Sequence, residues 1–214
     1  MERNNKSIVP IVMVYNKVRE ELVKQAVRTI RTNTKHYSEL FLKEDDARGF
    51  HKLNYIKLRN DIVSDISYVW EYIVFVDDDL YFNKGWLEAM IIAYNNNPDV
   101  WVLSTTKWRN HTLVEKREDV SIMEQFAGGC IIMSKYVWDK CGPFKIDLKK
   151  TIIFWEKVHE QGGKVAVLND EMKVIHCGVK GIINKRGKSP GSEKIIQDLA
   201  NKVNAKTNRS QKIY

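Results

Sequence analysis

The sequence predicts a single α/β domain with a mostly parallel central sheet flanked by helices. Short apolar runs alternate with segments of helical periodicity, and strands joined through helices form parallel sheets with right-handed crossovers. A chain of 214 residues, 43% hydrophobic and 29% charged, can build one such domain with a full core. The first seven residues are polar, and no apolar run approaches the ~20 residues of a membrane span, so we expect a cytoplasmic protein.

The run Tyr72–Val76 and the three aspartates after it form the centre of the predicted domain. Five β-branched or aromatic residues without a polar break predict a strand buried on both faces. Asp77 and Asp79 project the same way from an extended backbone, at the strand end where α/β sheets bind ligands. Adjacent acids repel unless a cation lies among them, and oxygen ligands suit Mg²⁺ or Mn²⁺ bound with phosphates. The alternative is that these acids, Asp78 included, only solvate the strand end and cap a helix beginning near Asn83.

The first half of the chain supplies the alternation of strands and helices. A strand is predicted at 8–15, with Pro10 near its start, where a missing donor is tolerated. A helix follows, because Leu22, Ala26 and Ile30 recur at helical spacing between charged residues. The remaining predictions are a strand at 39–43, a helix at 53–70 whose apolar set includes Val69, a helix at about 84–95 and a strand at 100–105.

The second half is less regular. Residues 108–119 are polar and predict a loop or ribbon at the open end of the sheet. Further predictions are a strand at 131–133, a short helix from Lys135, a break at 141–144, a helix at 151–161 stopped by two glycines, and strands at 164–168 and 172–175. A further helix is expected at 193–203, within the tail.

The cysteines and the uneven distribution of charge narrow the class of protein further. Cys130, Cys141 and Cys177 are odd in number and form no Cys-x-x-Cys pair, so we expect buried thiols without a disulfide or zinc site. The net charge is +8, and the segment from Lys180 onward holds nine basic residues against two acidic ones. A basic tail on a nearly neutral body favours a polyanionic partner or substrate phosphates; the alternative is a solvated tail.

The ordered motifs resemble those of GT-A fold nucleotide-sugar glycosyltransferases of the family 2 type, a Rossmann-like single domain. The matching landmarks are Tyr15-Asn16 after the first strand, Glu44-Asp45-Asp46, Arg59-Asn60, the Glu71-Tyr72-Ile73 strand start, and Asp77-Asp78-Asp79 as an Asp-x-Asp motif. The resemblance covers roughly residues 8–178. It implies a GT-A domain over 1–180, with a nucleotide-binding half at 1–80 and an acceptor half at 81–180, and a basic tail or lid at 181–214.

The resemblance also implies roles for individual residues. The implied metal ligands of Mn²⁺ or Mg²⁺ are Asp79, Asp77 and His176, with Asp77 also placed to reach the ribose or a metal-bound water. The implied contacts to a nucleotide-sugar donor, a UDP-sugar foremost, come from Tyr15, Asn16, Asp45, Asp46, Arg59, Asp77, Asp78, Gly128, Gly129 and Lys180. Tyr15 with Asp45 or Asp46 would hold the base, and Arg59 and Lys180 would face phosphates.

Two of these assignments have plain structural alternatives. His176 resembles the His of a His-x-Gly segment that supplies a metal ligand in several GT-A enzymes, but a lone His at a strand end is as often a satisfied core or surface residue. Gly128 and Gly129 resemble a glycine segment beside the donor sugar, where close backbone approach favours glycine; the alternative is a bulge or turn.

The sequence departs from the inverting family pattern at the general base. Where that pattern has a Glu-Asp pair, this chain has Lys150 and Thr151, neither of which can serve as a carboxylate base at neutral pH. Asp147 is the nearest substitute, followed by Glu156 and Glu124. The other reading is a retaining enzyme that needs no such base.

The predicted function is therefore metal-dependent transfer of a sugar from a nucleotide-sugar to a hydroxyl acceptor. Two acceptor classes remain, and the compact chain with its basic tail suits both: hydroxymethylated bases of phage-type DNA, or a polysaccharide, protein or lipid-linked acceptor with the tail acting as a lid over the donor. An inactive GT-A module that binds nucleic acid is a further alternative, supported by the missing Glu-Asp pair. A nucleotidyltransferase ranks lower, because residues 15–20 contain no glycine.

Overall fold

A computed structural model shows an α/β domain built on one large sheet and one small sheet. It describes residues 7–45, 52–106, 112–125, 127–145, 154–171 and 173–177. The large sheet contains the strands β1 (Val9–Tyr15), β2 (Ser38–Glu44), β3 (Tyr72–Val76), β5 (Val100–Thr106), β6 (Leu113–Lys116), β7 (Val120–Met123), β8 (Ala127–Ser134) and β9 (Lys164–Leu168), and the small sheet contains β4 (Leu80–Phe82) and β10 (Val174–His176). The helices are α1 (Glu20–Asn33), α2 (Lys52–Asp65), α3 (Trp86–Asn95), α4 (Lys135–Cys141) and α5 (Phe154–Glu160).

The large sheet has the strand order β2-β1-β3-β8-β5-β9-β7-β6. Strands β8 and β7 run against their neighbours, and the other six strands point the same way. The prediction of a mostly parallel sheet is thus confirmed. The antiparallel insertion of β8 between β3 and β5 was not predicted, and it brings the carbonyl of Gly129 within 2.7 Å of the backbone nitrogen of Asp77.

The strand β3 is buried on both faces, as its unbroken apolar run predicts. Val74 and Val76 pack on the side of α1 and α3, whereas Ile73 and Phe75 pack on the side of α2, α4 and α5. All four side chains are inaccessible to solvent. The two cores hold the sheet rigidly, so the residues that follow β3 start from a fixed edge.

The small sheet joins two segments that are distant in the sequence. β4 and β10 pair in antiparallel register, with Leu80 opposite His176. The prediction for 172–175 locates β10, and β4 was not predicted. This pairing matters for the site, because it places the end of β10 against the residues that follow β3.

The second helix is shorter than predicted. α2 ends at Asp65 rather than at residue 70, and Val69, expected on its apolar face, is 88% exposed. The helix ends in a tighter turn, in which Ile66 N donates to Val63 O, and Trp70 enters the core instead. Helical periodicity in the sequence therefore continued past the point where the helix ends.

The segment predicted as a loop or ribbon contains a hairpin in its described part. β6 and β7 pair in antiparallel register, and Arg117 between them forms a bidentate pair with Asp99, with nitrogen–oxygen distances of 2.6 and 2.8 Å. Glu115 and Lys164 complete this surface network. It fixes the hairpin to the loop before β5 and to the start of β9.

The three cysteines are buried thiols, as expected. Cys130, Cys141 and Cys177 are 0%, 2% and 7% exposed and form no disulfide. In the part of the chain that the structure describes, no helix combines the length and apolarity that a bilayer crossing requires. The expected helix at 193–203 and the tail at 181–214 lie outside the described residues.

Candidate active site

Three consecutive carboxylates follow β3 and have different surroundings, although Arg19 is shared between Asp78 and Asp79. The side chains of Asp78 and Asp79 are each 8% exposed, and that of Asp77 is 32% exposed. Burying carboxylates is unfavourable unless each is paired or binds a cation. The partners of each aspartate therefore decide what the site can do.

Asp79 lies beside His176 because of the small sheet. The backbone nitrogen of Cys177 donates to Asp79 O at 2.7 Å, and His176 Nε2 lies 3.5 Å from Asp79 Oδ1. Among the described residues, Oδ1 of Asp79 is buried and accepts no hydrogen bond. A buried carboxylate oxygen without a donor is the kind of atom that a bound cation would satisfy.

The environment of Asp79 disfavours its own charge. Burial, together with the nearby Asp77 and Asp78 carboxylates, raises its pKa to about 6, although His176 and Arg19 oppose the shift. A divalent ion would remove this penalty, since it supplies the missing positive charge.

Asp77, Asp79 and His176 offer ligand atoms that all lie within 4.8 Å of one another. Around Mg²⁺, neighbouring ligand atoms are about 3.0 Å apart and opposite ones about 4.2 Å apart, so the three side chains would have to turn inward to hold one ion. Two carboxylates and one imidazole are an acceptable set for Mn²⁺ or Mg²⁺, and less than a full shell leaves positions for phosphate oxygens. The residues present therefore fit a divalent metal that is bound together with a substrate.

Two residues of α2 form hydrogen bonds that hold the Asp77 side chain. Arg59 Nη2 donates to Asp77 Oδ1 at 2.9 Å and to Val76 O at 3.2 Å, and the Tyr55 hydroxyl donates to the same Oδ1. Burial raises the pKa of Tyr55 well above its usual range, so this phenol remains a neutral donor. In this structure the Arg59 side chain, 7% exposed, serves Asp77 rather than the open side of the site.

Asp78 turns away from the metal cluster and toward the loop after β1. Its Oδ2 accepts from the backbone nitrogen of Asn16 at 3.1 Å, and its Oδ1 accepts from Arg19 Nη1 at 2.8 Å. The same Arg19 nitrogen lies 3.4 Å from Asp79 Oδ2. Burial raises the pKa of Asp78, which makes the arginine its necessary counter-ion.

The predicted nucleobase residues lie on the neighbouring strands. Asp45 follows β2 and is 3% exposed; its backbone nitrogen donates to Tyr15 O at 2.7 Å, and its carboxylate accepts from Asn54. Tyr15 ends β1, and Gly129 lies on β8 next to Asp77. The structure thus brings Tyr15, Asn16, Asp45 and Gly129 to the strand ends that also carry the three aspartates.

Several predicted residues lie elsewhere or outside the described residues. Asp46, Asp147 and Lys180 are outside them, and Gly128 is described only as part of β8. Of the alternative bases, Glu156 lies on α5, and Glu124 is exposed, with its carbonyl oxygen 3.1 Å from His159 Nε2. The described residues therefore do not identify a general base.

Two residues of this site were not predicted. Arg19 falls within a run of charged residues before α1, and Tyr55 falls among the apolar residues of α2, so neither position stands out in the sequence. The sequence did single out the Arg59-Asn60 pair, which lies on the same helix as Tyr55. Asn60 bonds both to the nitrogen and to the carbonyl of Phe144, at 3.1 and 2.9 Å, which fixes the helix that carries Tyr55 and Arg59.

The sheet order, the antiparallel β8, the small β4–β10 sheet and the acidic strand end together define a GT-A fold. The structure is similar to crystal structures of residues 1–349 of S. aureus TarS. The complex with UDP-GlcNAc has a TM-score of 0.53 at 15% identity, and the complex with UDP has 0.54 at 15%. The uncomplexed TarS structure has 0.51 at 14%.

Each TarS match covers 76% of this chain and 56% to 58% of the TarS chain, so this chain spans a little over half of that protein's solved length. No protein-family model matches the sequence. The comparison with curated proteins gives no match either.

Proposed function

We propose that this chain is a metal-dependent glycosyltransferase that moves a sugar from a nucleotide-sugar donor to a hydroxyl acceptor. The observation that carries the proposal is the cluster of Asp77, Asp79 and His176 at the end of β3, with a buried Asp79 oxygen that accepts no hydrogen bond among the described residues. On a GT-A fold, this is the edge of the sheet where a donor diphosphate would bind.

Two observations support a nucleotide-sugar as the donor. A strand-end carboxylate cluster that fits Mn²⁺ or Mg²⁺ suits a ligand that carries a diphosphate. In addition, TarS was crystallised with UDP-GlcNAc and with UDP. We therefore propose a UDP-sugar as the donor.

Sugar transfer leaves a nucleoside diphosphate whose negative charge grows as the glycosidic bond breaks. A bound divalent ion supplies Lewis-acid stabilisation of that charge. The residues of the chain hold the arrangement: Asp79 and His176 are fixed by the β4–β10 pairing, and Asp77 is fixed by Arg59 and Tyr55. Tyr15 with Asp45 or Asp46 would hold the base, Gly128 and Gly129 would lie beside the sugar, and Lys180 would face phosphate.

For the acceptor we propose two classes, and the charge of the sequence is the feature considered. Nine basic residues from Lys180 onward favour an anionic acceptor, and DNA with hydroxymethylated bases provides both phosphates and hydroxyls. A polysaccharide, protein or lipid-linked acceptor is the alternative, with the basic segment acting as a lid over the donor. Asp147 is the proposed base if the reaction inverts configuration.

The first test is donor hydrolysis. The protein is incubated with a panel of nucleotide sugars and Mn²⁺, with and without EDTA, and released nucleotide is measured beside the thermal shift. We expect slow hydrolysis and stabilisation by one donor, both abolished by EDTA and by Asp79→Asn. Asp139→Asn, a change at an exposed aspartate paired with Lys135 on α4, should leave both signals intact.

The outcomes separate the candidate functions. Turnover that persists in Asp79→Asn would refute the metal assignment. Nucleotide binding without turnover of any donor, together with DNA binding, would favour the inactive module. With an active donor in hand, mass spectrometry of hydroxymethylated DNA and of saccharide acceptors after reaction identifies the acceptor class.

A further inference from the structure

We propose, on the basis of the proposed function, that Arg19 is an exchangeable cation of the donor site. It neutralises Asp78 and Asp79 in the metal-free protein, and it pairs with the donor's diphosphate once a divalent ion has bound at Asp79. Arg19 would thus oppose the binding of metal alone and favour the binding of metal together with nucleotide.

The position of Arg19 carries the first step. Its Nη1 is shared between Asp78 Oδ1 at 2.8 Å and Asp79 Oδ2 at 3.4 Å. The other oxygen of Asp79 faces His176 Nε2 at 3.5 Å. The guanidinium and the candidate metal position therefore lie on the same carboxylate, and a divalent ion at Asp79 would repel the arginine.

The difference between the two arginines of the site carries the second step. Arg59 is almost fully buried, stacks on the Tyr55 ring at 4.2 Å and donates to the Val76 carbonyl as well as to Asp77. Arg19 instead ends the short 3₁₀ turn Lys17–Arg19, its side chain is 25% exposed, and its described side-chain contacts are to the two carboxylates. Arg59 is thus enclosed by the core, whereas the Arg19 side chain borders solvent.

The chemistry of the expected ligand carries the third step. A diphosphate held by the ion would bring anionic oxygens near Asp79 and therefore near Arg19, and a planar guanidinium can pair with phosphate through two parallel hydrogen bonds. The repulsion from the ion and the attraction of the phosphates act in the same direction. Arg19 would therefore make the site selective for a metal–diphosphate pair over a free ion.

The test measures two affinities in variants that keep the buried charges balanced. Removing Arg19 alone would leave Asp78 as a buried unpaired charge, so Asp78→Asn is the reference and Asp78→Asn/Arg19→Met is the test variant. Calorimetry first measures Mn²⁺ alone, and then UDP, GDP, CDP and ADP at saturating Mn²⁺. Arg31→Met, at an exposed position in the last turn of α1, controls for the loss of a positive charge.

We expect the loss of Arg19 to change the two affinities in opposite directions. Affinity for Mn²⁺ alone should rise about threefold or more because a competing cation is gone, and affinity for the preferred nucleoside diphosphate should fall about tenfold because a charge-assisted hydrogen bond is lost. Arg31→Met should change neither affinity. If both affinities fall together, Arg19 only supports the loop, and the inference is overturned; it is also overturned if neither changes.

Failure of the proposed function would look different. If the wild-type protein binds neither Mn²⁺ nor any of the four diphosphates, the donor site itself is absent, and this inference falls with it. If the wild type binds both and the variant pair shows no opposite shifts, only the role of Arg19 is refuted.

Discussion

Replacing Asp79 by asparagine should stabilise the metal-free protein while abolishing its response to metal. The pKa of Asp79 is raised from 3.8 to about 6, chiefly by burial. Because the folded state holds the proton more tightly than the unfolded chain, this group lowers stability as the pH rises from about 4 to 6. Above pH 6 the full cost is present, up to about 3 kcal/mol at 1.36 kcal/mol per pKa unit. Asp79→Asn removes the charge and with it this cost.

The assay is chemical denaturation of wild type and variant between pH 4 and 8, with EDTA and then with Mn²⁺. In EDTA at pH 7.5 the variant should be more stable by up to about 3 kcal/mol, and the difference should shrink toward zero near pH 4. Mn²⁺ at a hundredfold excess over Kd should stabilise the wild type by about 2.7 kcal/mol and leave the variant unchanged. A variant that is less stable than wild type in EDTA at pH 7.5 would refute the reasoning, because Asp79 would then be a satisfied structural partner.

Three further changes test other parts of the structure. Tyr55→Phe removes a donor to the first aspartate of the metal cluster and should weaken Mn²⁺ binding about tenfold by calorimetry with circular dichroism unchanged; unaltered affinity would mean that this hydrogen bond does not position the ligand. Asp99→Asn breaks the pair with Arg117, which holds the pKa of Asp99 well below its usual range. It should therefore cost about 1 kcal/mol at pH 7 and progressively less as the pH falls below about 4, as measured by urea unfolding; a loss that is independent of pH would contradict the ion-pair account. Gly163→Ala would place a methyl group inside the Trp101 ring and should lower stability by about 2 kcal/mol or more in thermal unfolding; a wild-type melting temperature would show that the ring can move aside.

The sequence predicted the strands whose signal is local. β3 is an unbroken run of β-branched and aromatic residues, β1 is an apolar run that includes Pro10 and Met13, and both strands are largely buried in the sheet. The position of β8 between β3 and β5 depends on pairings between distant segments, which periodicity does not contain. Val69 shows the opposite error: its spacing continues the helical pattern, but the backbone has already turned out of the helix.

The site residues show the same difference between local signals and contacts between distant segments. Asp77 and Asp79 do come together in one cluster, but not by strand alternation, because β3 ends at Val76 and Asp78 and Asp79 lie in a turn. Asp78 instead faces Asn16 and Arg19. The proximity of His176 to Asp79 depends on β4, which is three residues long and too short to show a period. In the sequence, Arg19 is one of several neighbouring charged residues, and only the fold places it beside the carboxylates.

The most direct test of the central claim is anomalous diffraction from crystals grown with Mn²⁺ and UDP. The account predicts a manganese peak between the carboxylates of Asp77 and Asp79 and the imidazole of His176, with diphosphate oxygens completing the shell. A manganese peak at another acidic cluster, with UDP bound away from the end of β3, would contradict it.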